Sequence, residues 1–182
     1  MNKPHEIRKL SNLVKPNIAV ITNIGEAHIE NFYNLNGIAK AKSEIIENIS
    51  KNGFLIINKD DKYFNFLLNI AKKKKIKVFT FGISKKADAT LIKKKHFNNY
   101  ELLHLKILDK NIFIKVKNIN SLTILNILSS LLVFSLLNLN LSKIENLNNL
   151  SQSVEGRGKT HTVSRYKKKF NLIDESYNAN PT

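Results

Sequence analysis

Three short apolar runs, each separated from the next by a stretch with helical periodicity, limit this chain to an α/β fold. The runs are Ile18-Ala19-Val20-Ile21-Thr22, Phe54-Leu55-Ile56-Ile57-Asn58 and Lys77-Val78-Phe79-Thr80-Phe81-Gly82. A strand with apolar residues on both faces belongs between two helix layers, the setting of a parallel sheet. Between the first two runs, Asn34 to Ile49 sets Leu35, Ile38, Ala41, Ile45 and Ile49 at helical spacing. Asn52-Gly53 then breaks the helix. After the second run, Asp60-Asp61 is expected to open a helix to about Lys75, its acids at the positive end. Strand–helix–strand–helix–strand implies parallel pairing through crossovers. Active sites in such sheets lie beyond the carboxyl ends of the strands.

The second half has a different character. Thr90 to Lys95, Tyr100 to Leu108 and Ile112 to Val116 read as three short strands, with Asp109-Lys110-Asn111 as a hairpin turn. Leu122 to Leu137 is strongly apolar but carries Asn126, Ser129, Ser130 and Ser135, so it reads as a buried helix and not a membrane span. A short helix near Ser142 to Ser151, a loop at Gly156-Arg157-Gly158 and a strand at Phe170 to Ile173 follow. The expected fold is α/β: a partial, mostly parallel sheet with flanking helices and a few antiparallel strands.

With 182 residues, 42% of them hydrophobic, the chain has enough apolar surface for a core. The absence of cysteine excludes a disulfide framework, a cysteine zinc site and a cysteine nucleophile. The net charge is +16, but the lysines spread along the whole chain without a regular aromatic pattern between them. No nucleic-acid partner is expected from it. The first residues, Met1 to Ile7, are mostly polar and show no apolar targeting stretch. Gly158-Lys159-Thr160 lacks the upstream glycine of a phosphate loop and follows a helix instead of a strand.

Three places are candidates for chemistry. His28 lies just past the first strand, beside Asn23 and Glu26, where it would serve as metal ligand or base, or be a surface histidine. Lys42 sits among small residues in the following helix, where partial burial would lower its pKa; the alternative is a solvated lysine. The closing segment from Asp174 to Pro181 follows the last strand. Its acids, Asp174 and Glu175, suit a ribose or a proton, and Asn178 and Asn180 offer amide donors and acceptors; the alternative is a polar turn.

Two blocks together carry a family resemblance. Thr22 to Glu30 (TNIGEAHIE) with Gly37 to Ile45 (GIAKAKSEI) closely resembles the central domain of the Mur ligases. Ser176 to Pro181 (SYNANP) is similar to the start of the third domain in the branch that adds D-alanyl-D-alanine. The resemblance implies a cytoplasmic, ATP-dependent amide ligase of peptidoglycan precursor synthesis. Its substrates would be UDP-MurNAc-tripeptide and D-alanyl-D-alanine, joined through an acyl phosphate. It implies Mg2+ held by His28 and Lys42, with Lys42 carbamylated, and a nucleotide contacted by Asn120, Arg157, Asp174 and Glu175. Tyr177, Asn178 and Asn180 would lie on the substrate side. The Gly and His common before the family's adenine Asn are absent from Ile114 to Ile119. By resemblance, residues 1–155 form the carboxyl-terminal part of the central domain, and 156–182 form a linker and the first strand of the third domain. The expectation is a fragment without the phosphate loop, inactive in isolation; the complete enzyme is expected to be a monomer. The alternatives are another amide ligase of the superfamily, MurE-like or folylpolyglutamate-synthase-like, or a non-catalytic basic binding module derived from a ligase.

Overall fold

The computed structural model describes residues 1, 3–26, 29–84, 86–117, 119–140, 159–165 and 168–174. Its centre is a six-stranded sheet in simple sequential order: β1 (Ile18–Ile21), β2 (Phe54–Asn58), β3 (Lys77–Gly82), β4 (Ala89–His96), β5 (Glu101–Ile107) and β6 (Lys110–Val116). β1 pairs parallel with β2, and β2 parallel with β3, as the strand–helix alternation predicts. β4 pairs parallel with β3 over only two residues, then runs on to meet β5 and β6 in antiparallel register.

Two apolar layers cover the sheet. On one face Ala19, Ile21, Leu55 and Ile57 pack with Ile38 and Ala41 of α2 (Leu35–Ser43) and with Leu67 and Ala71 of α3 (Phe64–Lys73). On the other face Ile56 and Phe81 join Leu103, Leu105 and Ile114 under Leu128 and Leu132 of α4 (Ser121–Leu136). Neighbours on a strand alternate between the layers, so Ile56 faces α4 while Leu55 and Ile57 face α2 and α3. Among the described residues no helix is long and apolar enough to cross a membrane.

Gly53 is required by close approach. A Cβ there would lie 2.6 Å from Ile49 and 2.7 Å from the Asn17 carbonyl oxygen. That fits the break expected before β2.

Several elements differ from expectation. A helix not foreseen, α1 (Glu6–Val14), precedes β1. Its cap is supplied from a distance: the buried Glu44 carboxylate accepts the His5 N–H at 2.9 Å and the Arg8 N–H at 3.0 Å. The sequence around α1 shows no such cap. The helix expected to run to Ile49 ends at Ser43 and tightens to a 3-10 turn over Glu44–Asn48. Asp60 and Asp61 stand in a turn before α3 and not in its first helical turn. The turn between β5 and β6 is Leu108-Asp109, with Leu108 at φ 54°, so Lys110 and Asn111 already belong to β6.

A separate antiparallel pair, β7 (Lys159–Arg165) and β8 (Lys168–Asp174), lies outside the main sheet. β8 contains the strand expected at Phe170 to Ile173, while β7 was not expected. Asp174 therefore ends a hairpin strand and does not follow a strand of the parallel sheet. The helix expected near Ser142 to Ser151 and the loop at Gly156 to Gly158 lie outside the described residues.

Candidate active site

The described chemistry gathers beyond the carboxyl ends of β1 and β2. Asn34 caps α2, its side-chain oxygen accepting the Gly37 N–H at 3.1 Å. The helix carries Lys42 back over the β1 end, where its Nζ donates to the Asn23 carbonyl at 2.8 Å. Lys42, Thr22, Asn23, Val20, Ile45 and Ile7 border a small cavity of about 200 Å³. Burial pushes the half-buried Lys42 amine below its ordinary value of 10.5, and the charge of Asp61 pulls it part of the way back. Lys42 is thus not a freely solvated helix lysine.

The loop that Lys42 touches is held by the turn after β2. Asp61 Oδ2 accepts the Ile24 N–H at 2.7 Å, and its Oδ1 accepts the Tyr63 N–H at 2.7 Å. The neighbouring Asp60 turns the other way, its Oδ2 accepting the N–H groups of Ile83 at 2.6 Å and Ser84 at 3.1 Å. Buried Asn58 braces the turn by accepting the Asp60 N–H at 2.9 Å. Two adjacent aspartates thereby fix the loops after β1 and β3. The sequence reading assigned them to a helix end and missed this role. The available signal was two acids directly after a buried strand, where loop amides need acceptors.

Asn120 lies on the β6 side of the sheet, as the N-cap of α4. Its Oδ1 accepts the Thr123 N–H at 2.8 Å and the Thr123 hydroxyl at 2.9 Å. The oxygen is therefore committed to the helix, and among the described residues no acceptor meets the amide NH2, a donor that a ligand could use. His28, Arg157, Glu175, Tyr177, Asn178 and Asn180 lie outside the described residues.

A magnesium site is not complete within the described residues. No three His, Asp or Glu side chains gather into a metal-holding group among them. Asp61 has each oxygen engaged by a backbone N–H, and the Lys42 amine is not a hard-oxygen ligand.

Comparison with known proteins places this geometry. Residues 1–134 match the family model described as the Mur ligase middle domain. The chain is 44% identical over 117 residues to the UDP-N-acetylmuramoyl-tripeptide--D-alanyl-D-alanine ligase of Rickettsia prowazekii, a match covering 64% of this chain and 26% of the relative. It is 36% identical over 106 residues to the ligase of that name from Buchnera aphidicola subsp. Acyrthosiphon pisum, covering 58% of this chain and 21% of the relative. Among solved structures, MurF from Acinetobacter baumannii superposes with a TM-score of 0.80 at 26% identity, over 100% of this chain and 38% of the other. The MurF ligase of Thermotoga maritima in complex with ADP gives a TM-score of 0.78 at 25% identity, over 99% of this chain and 40% of the other. The chain thus spans about a quarter of the length of the Rickettsia relative.

Proposed function

The chain belongs to the Mur ligase family, and on that premise we propose that it is part of an ATP-dependent ligase that adds D-alanyl-D-alanine to a UDP-MurNAc-tripeptide. The observation that carries the reading is the 44% identity to a ligase named for that reaction. The position of Lys42 supports it: a half-buried lysine at the carboxyl end of the first parallel strand, anchored to a loop that Asp61 holds.

In this reading the chain contributes one wall of the nucleotide and acyl-transfer site, in the cytoplasm. Residues 1–155 belong to the central domain, and 156–182 lead into the third. Asn120 donates its free amide NH2 to the base of the nucleotide. Arg157, Asp174 and Glu175 serve the rest of the nucleotide, and Tyr177, Asn178 and Asn180 face the peptide substrate. His28 and Lys42 complete a magnesium site, with Lys42 as its carbamate. When bound, magnesium would neutralise phosphate charge during transfer. Short carboxylates restoring turnover to a Lys42→Ala enzyme would assign the carbamate; no restoration would assign Lys42 to the unmodified amine.

The test is an ADP-release assay of the full-length enzyme that carries this segment, with UDP-MurNAc-tripeptide as acceptor. D-alanyl-D-alanine is expected to support turnover and glutamate to give none. Turnover with glutamate alone would move the chain to a different branch of the superfamily.

A further inference from the structure

In the antiparallel half, a buried carboxylate and a half-buried lysine together hold the backbone of one residue. Glu101 opens β5 and is 7% exposed. Its Oε1 meets Lys94 Nζ at 2.9 Å and His96 Nδ1 at 2.9 Å. Its Oε2 accepts the Ile119 N–H at 3.3 Å, and Lys94 Nζ donates to the Ile119 carbonyl at 3.2 Å. Both backbone polar groups of Ile119 are therefore held, one by each member of the pair. The Ile119 side chain is buried in the layer under α4.

A strand irregularity puts the lysine there. Leu91 pairs with Leu105 and Lys93 with His104, so the register shifts across Ile92. Before the shift, buried Ala89 and half-buried Leu91 face the core; after it, Lys94 and His96 stand opposite Leu103 and Glu101. One extra residue exchanges the faces of everything that follows it. Without it, Lys94 would lie on the outer face.

Desolvating two charges is expensive, and a buried pair is weak evidence of a gain in stability. The position of the pair is more informative. Residue 119 immediately precedes Asn120, whose oxygen is fixed by Thr123 and whose NH2 is left for a ligand. We propose that Glu101 and Lys94 form a clamp that positions Asn120 to contact the base of a purine nucleotide. Both are positioning residues, acting through the backbone N–H and C=O of Ile119. The inference rests on the reading of Asn120 given under Proposed function.

The test pairs two readouts on Glu101→Gln, Lys94→Met and the conservative Lys94→Arg. Amide hydrogen exchange on the full-length enzyme should show the Ile119 N–H opening at least ~10-fold faster in Lys94→Met, with β5 elsewhere protected as before. Affinities for ADP and CDP are then measured on the full-length enzyme with its uridine site filled by UDP-MurNAc-tripeptide. The wild type should prefer ADP. Lys94→Met and Glu101→Gln should weaken ADP about 10-fold and leave CDP unchanged, and Lys94→Arg should restore the preference. A wild type that binds both equally overturns the reading of Asn120. A wild-type preference that survives in the variants, or an unchanged Ile119 amide, overturns the clamp. If Glu101→Gln does not fold, Lys94→Met and Lys94→Arg decide alone.

Discussion

The two halves of the sheet solve one problem by different means. In the parallel half, loops leave the carboxyl ends of β1 and β3 with backbone N–H groups that need acceptors. Asp60 and Asp61, adjacent in sequence, supply them from a single turn. In the antiparallel half, the loop before α4 is held by Lys94 and Glu101, which a strand irregularity brings to one face. The first arrangement is local to one turn and serves the Lys42 side. The second needs three strands in register and serves the Asn120 side. A carboxylate on a loop amide satisfies a donor that would otherwise be buried unpaired, and it fixes the direction of the chain at that point. The difference predicts that the parallel half tolerates slippage elsewhere, while the antiparallel site depends on the correct pairing of β4 with β5.

The strongest way to break the comparison is at the seam. Phe81 is fully buried under α4 and pairs with Ala89, where β3 meets β4. Phe81→Ala should cost about 3–5 kcal/mol in urea unfolding. If the halves form one cooperative unit, fluorescence and far-UV dichroism will lose signal together. Separate transitions would show that the halves fold independently.

A smaller effect separates the two devices. Asp61→Ala should cost about 1–3 kcal/mol, because the Ile24 and Tyr63 N–H groups lose their acceptor. Amide exchange should quicken at those residues, with no change at Ile119. Faster exchange at Ile119 would mean that the two sites are coupled through the sheet.

The smallest effect is set by pH. Burial by itself raises the Glu101 pKa, but the hydrogen bonds from Lys94 and the Ile119 N–H, with the charges of Lys94 and His96, bring it below the ordinary 4.5. A carboxyl held lower in the folded protein than in the unfolded one contributes stability above its unfolded value. That stability is lost as pH falls through the folded value. Wild-type stability should therefore drop more between about pH 5 and pH 3 than that of Glu101→Gln. Identical acid profiles would remove Glu101 from the account.

The elements legible in the sequence were those whose signal is local. Phe54–Asn58 and Lys77–Gly82 are continuous apolar runs, one preceded by Asn-Gly and the other ended by Gly, and their bounds agree with the structure. α1 was not legible, because the Glu44 carboxylate that caps it comes from a remote turn. Nor was β7, whose Lys159–Arg165 stretch holds a single aliphatic residue, Val163, and pairs with β8 outside the main core. The partial burial of Lys42 was legible through its small neighbours. Asp61 was mistaken for a helix-end acid because a sequence does not show which amide a carboxylate will meet. Lys94 was hidden in the run Lys93-Lys94-Lys95, whose alternation is reversed at Ile92, and the sequence does not show that Glu101 will face it across the next strand.

The central claim is that the half-buried Lys42 over the β1 end carries chemistry. The direct measurement is ADP release, dependent on D-alanyl-D-alanine, by the full-length enzyme with Lys42→Ala, alongside far-UV dichroism to confirm folding. The account predicts a folded protein with turnover reduced at least ~100-fold, on the scale of losing a group that acts in the transition state. A folded Lys42→Ala enzyme with wild-type turnover would contradict it.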